Sequence, residues 1–331
     1  MTKAAIVGIA GPVLTPAEAA LLAATPPAGL ILFARNIETP AQVRALTDDL
    51  RRHLPPTAVL MVDQEGGRVA RLKPPHWSRH PPASAIGALF ATAPEAGLRV
   101  AWLTGALIGL DCAAAGLDVA CAPVLDRRLP GANDAIGDRA YAESPETVAA
   151  LGAAMADGLL AAGIQPVGKH APGHGRAQAD SHFSLPIVTG DDLDADLLPF
   201  AWNAGLPWMM TAHILYPSLD PQHPATLSPG IIAKIIRGSI NFAGVLVSDD
   251  LAMQALTGTP AARARDALAA GCDLALYCPG DLAGNRDVLE AVPTLTGPAR
   301  TRLAAARAMA RHRRLALDPP VLLAERDGYG F

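Results

Sequence analysis

Between residues 165 and 186 the sequence reads Q-P-V-G-K-H-A-P-G-H-G-R-A-Q-A-D-S-H-F-S-L-P, which gathers Lys169, His170, His174, Asp180 and His182 in one short stretch. Glycines and prolines separate these side chains rather than a helical period, so the segment makes a poor core element. Its apolar opening, Pro166-Val167-Gly168, reads as a short buried strand. The structureless run behind it, up to Asp191 and Asp192 where a helical pattern resumes, has the length of a lid or binding loop. A strand should deliver Lys169 and His170 to a site, and the loop should bring Asp180 and His182 over it. An aspartate two residues before a histidine can accept its ring N–H, fix the tautomer and raise its basicity. His170 and His174 stand four apart like a helical metal pair, but Pro172 and Gly173 between them destroy the helical geometry.

Two further segments carry acids at the ends of apolar runs. In V-L-V-S-D-D-L an apolar strand runs into Asp249 and Asp250. A carboxylate there can act as nucleophile, metal ligand or acceptor for a sugar hydroxyl, while its neighbour caps the following helix. In D-Q-E-G-G-R-V-A-R, Asp63 and Arg71 suit a ligand with many hydroxyls, and Gly66-Gly67 lets the backbone turn sharply. Glu65 and Arg68 read as a salt-bridged surface loop.

These residues need a frame that collects them. Apolar strand-like runs at 5–9, 30–34, 59–62, 119–123, 166–168, 208–212, 245–248 and 274–277 alternate with helical patterns at 16–24, 40–53, 95–115, 145–162, 192–204, 229–237, 260–270 and 298–315. Several helices open on Thr-Pro or Ser-Pro, a start signal. Repeated strand–helix units predict an α/β fold, a single (β/α)8 TIM barrel spanning 1–331 with a helical tail from about 298 to 331. An open doubly wound sheet would need a glycine-rich phosphate turn after the first strand, and Gly8-Ile9-Ala10-Gly11-Pro12 does not supply one. Active sites in such barrels sit at the C-terminal ends of the strands. Read that way, Asn36, Asp63, Asp126, Lys169, His170, His213, Asp249 and Asp250 gather at one rim.

Composition narrows the classes. The 331 residues are half apolar and 18% charged, with a net charge of −4, so nothing points to a nucleic-acid partner. Cys112, Cys121, Cys272 and Cys278 show no C-x-x-C spacing and read as buried thiols of a reducing, cytoplasmic setting. Met1-Thr2-Lys3 and the apolar residues after it imitate a secretory signal. Gly11-Pro12 and the helix start Thr15-Pro16-Ala17-Glu18 favour a first strand instead. The longest apolar region, 100–125, carries Asp111 and Asp118, so no segment is expected to span a membrane.

The motifs together resemble the family 3 glycoside hydrolases, and within them the bacterial β-N-acetylhexosaminidases of the cell-wall recycling type. The likeness rests on D-Q-E-G-G-R-V from Asp63, A-P-V-L-D from Ala122, I-G-D-R-A-Y from Ile136, G-K-H-A-P-G-H-G from Gly168, D-S-H from Asp180 and S-D-D-L-A-M from Ser248. The resemblance implies a (β/α)8 barrel and retaining hydrolysis through a glycosyl-enzyme on Asp249. It implies His182, paired with Asp180, as acid/base in place of the second carboxylate most glycosidases use. It also implies Asp63, Arg71, Arg139, Lys169 and His170 as the groups that hold a terminal GlcNAc. Ala171 stands where the family usually has an aromatic, and Ala252 where it often has a serine, which implies altered packing beside the site. Many relatives carry a further α/β sandwich domain; here every catalytic part is expected from the barrel.

The expected activity is an exo-β-N-acetylglucosaminidase, without cofactor or metal, acting on GlcNAc-1,6-anhydroMurNAc from muropeptides in peptidoglycan recycling. Three alternatives keep the fold. The glycosyl group could pass to phosphate instead of water; His170, His174, His213 and Asp249 could hold a metal; or the chain could bind sugar without turning it over.

Overall fold

The computed structural model describes residues 1–190 and 193–331. Eight strands form a closed barrel in chain order, β1 Lys3–Gly8, β2 Pro27–Leu32, β3 Val59–Val62, β4 Val119–Ala120, β5 Gln165–Ala171, β6 Trp208–Thr211, β7 Val245–Asp250 and β8 Leu274–Tyr277. Each pairs in parallel with the next, and β1 closes onto β8 through Ala5 opposite Ala275. Strands buried on both faces must be apolar throughout, and alternation then divides one strand between two cores. Ile6, Ile31, Met61, Val167, Met210, Val247 and Leu276 fill the lumen. Ala5, Val7, Leu30, Leu60, Leu246 and Ala275 face the surrounding helices.

The helices are α1 Pro16–Ala24, α2 Pro40–His53, α3 Ala83–Thr92, α4 Pro94–Ala114, α5 Pro145–Ala161, α6 Asp194–Trp202, α7 Pro260–Ala270, α8 Leu282–Ala291, α9 Gly297–Arg313 and α10 Pro319–Asp327, with a π-helical segment at Ile231–Ser239. The Thr-Pro and Ser-Pro starts are caps: Thr15, Thr39 and Ser144 accept backbone N–H groups of Glu18, Gln42 and Thr147. Glu18 also reaches back to the Thr15 N–H at 2.9 Å, completing a capping box. The expected start of a helix at Asp192 lies outside the described residues.

Several elements differ from the expectation. β5 continues through Lys169 and His170 to Ala171, and β7 through both aspartates, because parallel partners extend beyond the apolar run. β4 is only two residues, since Pro123 has no N–H to give the ladder. α3 and α8 are additional, and α10 falls inside the expected helical tail. α3 has no side-chain cap and an almost uniformly apolar sequence, so it shows no period to read. α9, read as a tail, places Ala299, Leu303 and Ala306 in the same core as the lumen residues and so closes the floor of the barrel.

α4 corrects the membrane expectation in one respect. Among the described residues it is the one helix long and apolar enough to cross a bilayer by length and composition. It lies against α3, α5 and α10, with 61% of its apolar window buried. Its pairing with α5 depends on missing side chains: a Cβ on Gly105 would stand 2.0 Å from the Met155 carbonyl oxygen, and one on Gly158 2.1 Å from that of Trp102. Gly105→Ala should therefore force the helices apart and cost about 1–3 kcal/mol. An unchanged thermal midpoint would show that α4 and α5 do not approach this closely.

Candidate active site

At the C-terminal mouth of the barrel lies a cavity of about 220 Å³. Asp63, Arg71, Arg139, Lys169, His170, Asp180, His182 and Asp249 all line it, although they come from four different strands and the connections behind them. Phe33, at the end of β2, adds an aromatic wall, with the guanidinium carbons of Arg35 and Arg71 5.0 and 5.3 Å from its ring centre. The volume lies below that of sites built for drug-sized ligands and suits a single sugar ring.

One wall is an ion cluster. Lys169 points from β5 into the barrel and is almost fully buried, so its ammonium needs compensation. Asp63 supplies it at 2.6 Å and Glu65 at 2.5 Å. Arg139 grips Glu65 through two bonds of 2.8 Å, and Arg71 reaches the other oxygen of Asp63 at 2.9 Å. Burial alone would raise the Glu65 carboxyl, but Arg139 and Lys169 overcome it and hold the group far below its usual value. Burial likewise opposes the charge on Lys169, and the two acids raise it above the ordinary lysine range. The surface-loop reading of Glu65 is thus overturned: it is buried and joins the turn after β3 to Arg139 and β5. Arg68 does pair at the surface, with Asp138 at 2.7 Å, and its guanidinium also caps the carbonyls of Asp134, Ala135 and Ile136.

A second cluster orders the end of β5. Asp126, fully buried after β4, accepts from His170 Nδ1 at 2.7 Å and from the His174 backbone N–H at 2.6 Å. Burial would raise its pKa, but the two histidines lower it and keep it ionised. That fixes a proton of His170 on Nδ1 and leaves Nε2 outside this pairing. Asp126 was legible as a rim residue but not as this anchor.

β7 presents Asp249. Its Oδ1 accepts the Asp250 backbone N–H at 2.8 Å. Burial would raise the carboxyl, and His170, His213, that N–H and Lys169 together lower it, so Asp249 is a carboxylate. Asp250 takes the other role open to the pair: its Oδ1 accepts from Ala252 and Cys278, both at 3.0 Å, tying β7 to β8. Burial first, and the neighbouring Asp249, raise its pKa.

His213 does not face the cavity. Its Nδ1 lies 2.8 Å from Thr226 Oγ1 and its Nε2 3.0 Å from the Asp250 carbonyl oxygen, so both ring nitrogens are engaged in holding strand ends. Among the described residues no three His, Cys, Asp or Glu side chains are grouped to hold a metal ion. The set His170, His174, His213 and Asp249 is not assembled as ligands.

The loop after β5 covers the mouth. His182 Nδ1 lies 2.7 Å from Asp180 Oδ1, which also accepts the His182 backbone N–H at 2.9 Å. The imidazole is largely exposed, with its Nε2 free of that pairing. Arg176 and Arg127 both bind Asp196 of α6, the latter at 3.1 Å, anchoring the base of the loop.

Glu65→Gln should leave Arg139 and Lys169 short of a buried counter-charge and cost about 3–5 kcal/mol at pH 7. The Glu65 pKa is depressed on folding, so its contribution is present above the usual value of 4.5 and fades as pH falls below it. The stability gap between wild type and variant, measured by denaturant unfolding from pH 7 to 3, should narrow toward acid. A gap that stays constant across that range would remove the ionised-cluster account.

The family model of the Glycosyl hydrolase family 3 N terminal domain matches residues 12–316. A protein named beta-hexosaminidase from Methylococcus capsulatus is 42% identical over 306 residues, covering 90% of this chain and 89% of its own. Among solved structures, NagZ from Neisseria gonorrhoeae in complex with N-trifluoroacetyl-D-glucosamine superposes with a TM-score of 0.85 at 30% identity, over 98% of this chain and 93% of that one. A family 3 beta-N-acetylglucosaminidase from a Paenibacillus species gives 0.83 at 30% identity, over 95% of this chain but 62% of that longer one.

Proposed function

The chain belongs to glycoside hydrolase family 3 and is an enzyme of the β-hexosaminidase type, and from that premise we propose a retaining exo-β-N-acetylglucosaminidase with Asp249 as nucleophile and His182 as acid/base. The observation that carries this reading is the shared cavity: the ionised Asp249 and the Asp180–His182 pair line one chamber sized for a single sugar. Lys169, Asp63, Arg71, Arg139 and His170 on its inner wall hold the hydroxyls of the terminal GlcNAc.

The geometry supports the following steps. Asp249 Oδ1 is occupied by the Asp250 N–H, so Oδ2 attacks the anomeric carbon and forms a glycosyl ester. The bond to the leaving oxygen breaks as His182 Nε2–H transfers its proton to that oxygen. Water then attacks the same carbon, His182 Nε2 takes the proton of the water, and the Asp249 carboxylate leaves. Asp180, bound to Nδ1, holds the ring so that Nε2 is the nitrogen that works. The substrate is a terminal β-GlcNAc, in the form of GlcNAc-1,6-anhydroMurNAc from muropeptides, in peptidoglycan recycling in the cytoplasm. The likeness to NagZ, crystallised with an N-acyl glucosamine, supports that choice.

Wild type should release p-nitrophenol from its β-N-acetylglucosaminide in the presence of chelator and without phosphate, and Asp249→Ala should reduce the rate by at least about 10³-fold. His182→Ala should slow glycosides with poor leaving groups about 10²-fold or more and activated aryl glycosides far less. Equal losses on both would discard His182 as the acid. GlcNAc-1-phosphate as the product when phosphate is added would replace hydrolysis by phosphorolysis.

A further inference from the structure

His174 is the one histidine of the β5 segment that the reaction above leaves without a task. Its ring is buried, and among the described residues its Nδ1 has no hydrogen-bond partner. Its Nε2 lies 3.2 Å from Ser181 Oγ, and Ser181 is the buried middle residue of the Asp180-Ser181-His182 triplet. The Ser181 and His182 carbonyls accept the backbone N–H groups of Ala255 and Gln254, at 3.2 and 3.3 Å. Those two residues lie just after β7, the strand that ends in Asp249 and Asp250.

We propose that His174 is a positioning residue, whose hydrogen bond to Ser181 seats the Asp180–His182 dyad over Asp249; this rests on His182 as the acid/base. The connection is continuous. Asp126 holds the His174 backbone N–H at 2.6 Å, His174 holds Ser181 from the β5 side, and the turn after β7 holds the same two loop residues from the nucleophile side. Burial pushes the imidazole down to about 4, so it is neutral where the enzyme works. A neutral ring carries one N–H; with Nδ1 unpartnered, a bare acceptor there costs less than a buried unpaired N–H, so the proton sits on Nε2 and Nε2–H donates to Ser181 Oγ. Between β5 and α6 the described residues form no helix or strand, and the loop's other ties, Arg176 to Asp196, the Asn133 N–H to the Ala177 carbonyl and the bridge of Ile187 with Leu215, lie outside the Asp180–His182 triplet. A displacement of about 1 Å in a proton donor is enough to cost on the order of 10²-fold.

The test uses the full chain with an activated and a poor leaving group on the same GlcNAc, comparing wild type, Ser181→Ala, His174→Ala, His174→Gln and His182→Ala. Ser181→Ala and His174→Ala should lose about 10- to 100-fold in kcat/KM on the poor leaving group and about twofold or less on the activated one. His174→Gln, whose side-chain N–H can stand in for Nε2–H, should recover most of the loss. Ser181→Ala removes a single hydroxyl and carries the test if His174→Ala does not fold. Equal losses on both substrates, no loss, or a Gln variant no better than Ala would overturn the latch. If His182→Ala shows the leaving-group dependence and Ser181→Ala does not, the latch alone falls; if His182→Ala lacks it, the acid assignment falls with it.

Discussion

A lysine that emerges inside a barrel has to be neutralised where it stands, and the mouth of this barrel is arranged around that requirement. Lys169 is almost wholly shielded from water, so two carboxylates from the turn after β3 come to it, and a buried carboxylate in turn needs Arg139. Three connections that share no sequence are thereby locked into one wall. Asp63, Arg71, Arg139 and Lys169 of that wall line the cavity.

The same logic acts in miniature at Asp126. A fully buried carboxylate with three donors from one β-strand end, the His170 ring and the His170 and His174 backbones, defines the path of the chain as it leaves β5. His170 then lines the cavity with its Nδ1 held by Asp126, and the loop that follows starts from a fixed place. On the far side, Asp250 and His213 tie β7 to its neighbours, and Asp249 is presented by a rigid strand rather than by a mobile turn. Asp249, Lys169 and His170 therefore sit on the scaffold, while His182, the proposed acid/base, sits on a loop. That division suits a reaction in which one group must stay aligned with the anomeric carbon and the other must meet leaving oxygens of differing size.

Much of the barrel was legible because its strands are apolar on both faces and its helices begin on Thr-Pro or Ser-Pro. All eight strands lie where the apolar runs placed them, within a few residues. α3 was illegible because a uniformly apolar helix has no period to read. The eight proposed site residues line one cavity, yet Glu65 reads in sequence as a surface acid. Its partners lie at positions 139 and 169, and no local pattern reports a pairing across that distance.

By itself the sequence determined which strands carry charged ends and at which rim those ends would meet, because alternation and apolar runs are local properties of the chain. It determined Asp249 as the acid that ends an apolar strand, and Asp180 with His182 as neighbours able to pair. Only the tertiary structure decided that Asp250 would tie β7 to β8, that His213 would be spent on strand ends, and that Glu65 would be drawn inside. Those outcomes depend on desolvation, which is set by what lies across the barrel: a charge is surface or core only once its partners from distant strands have closed over it.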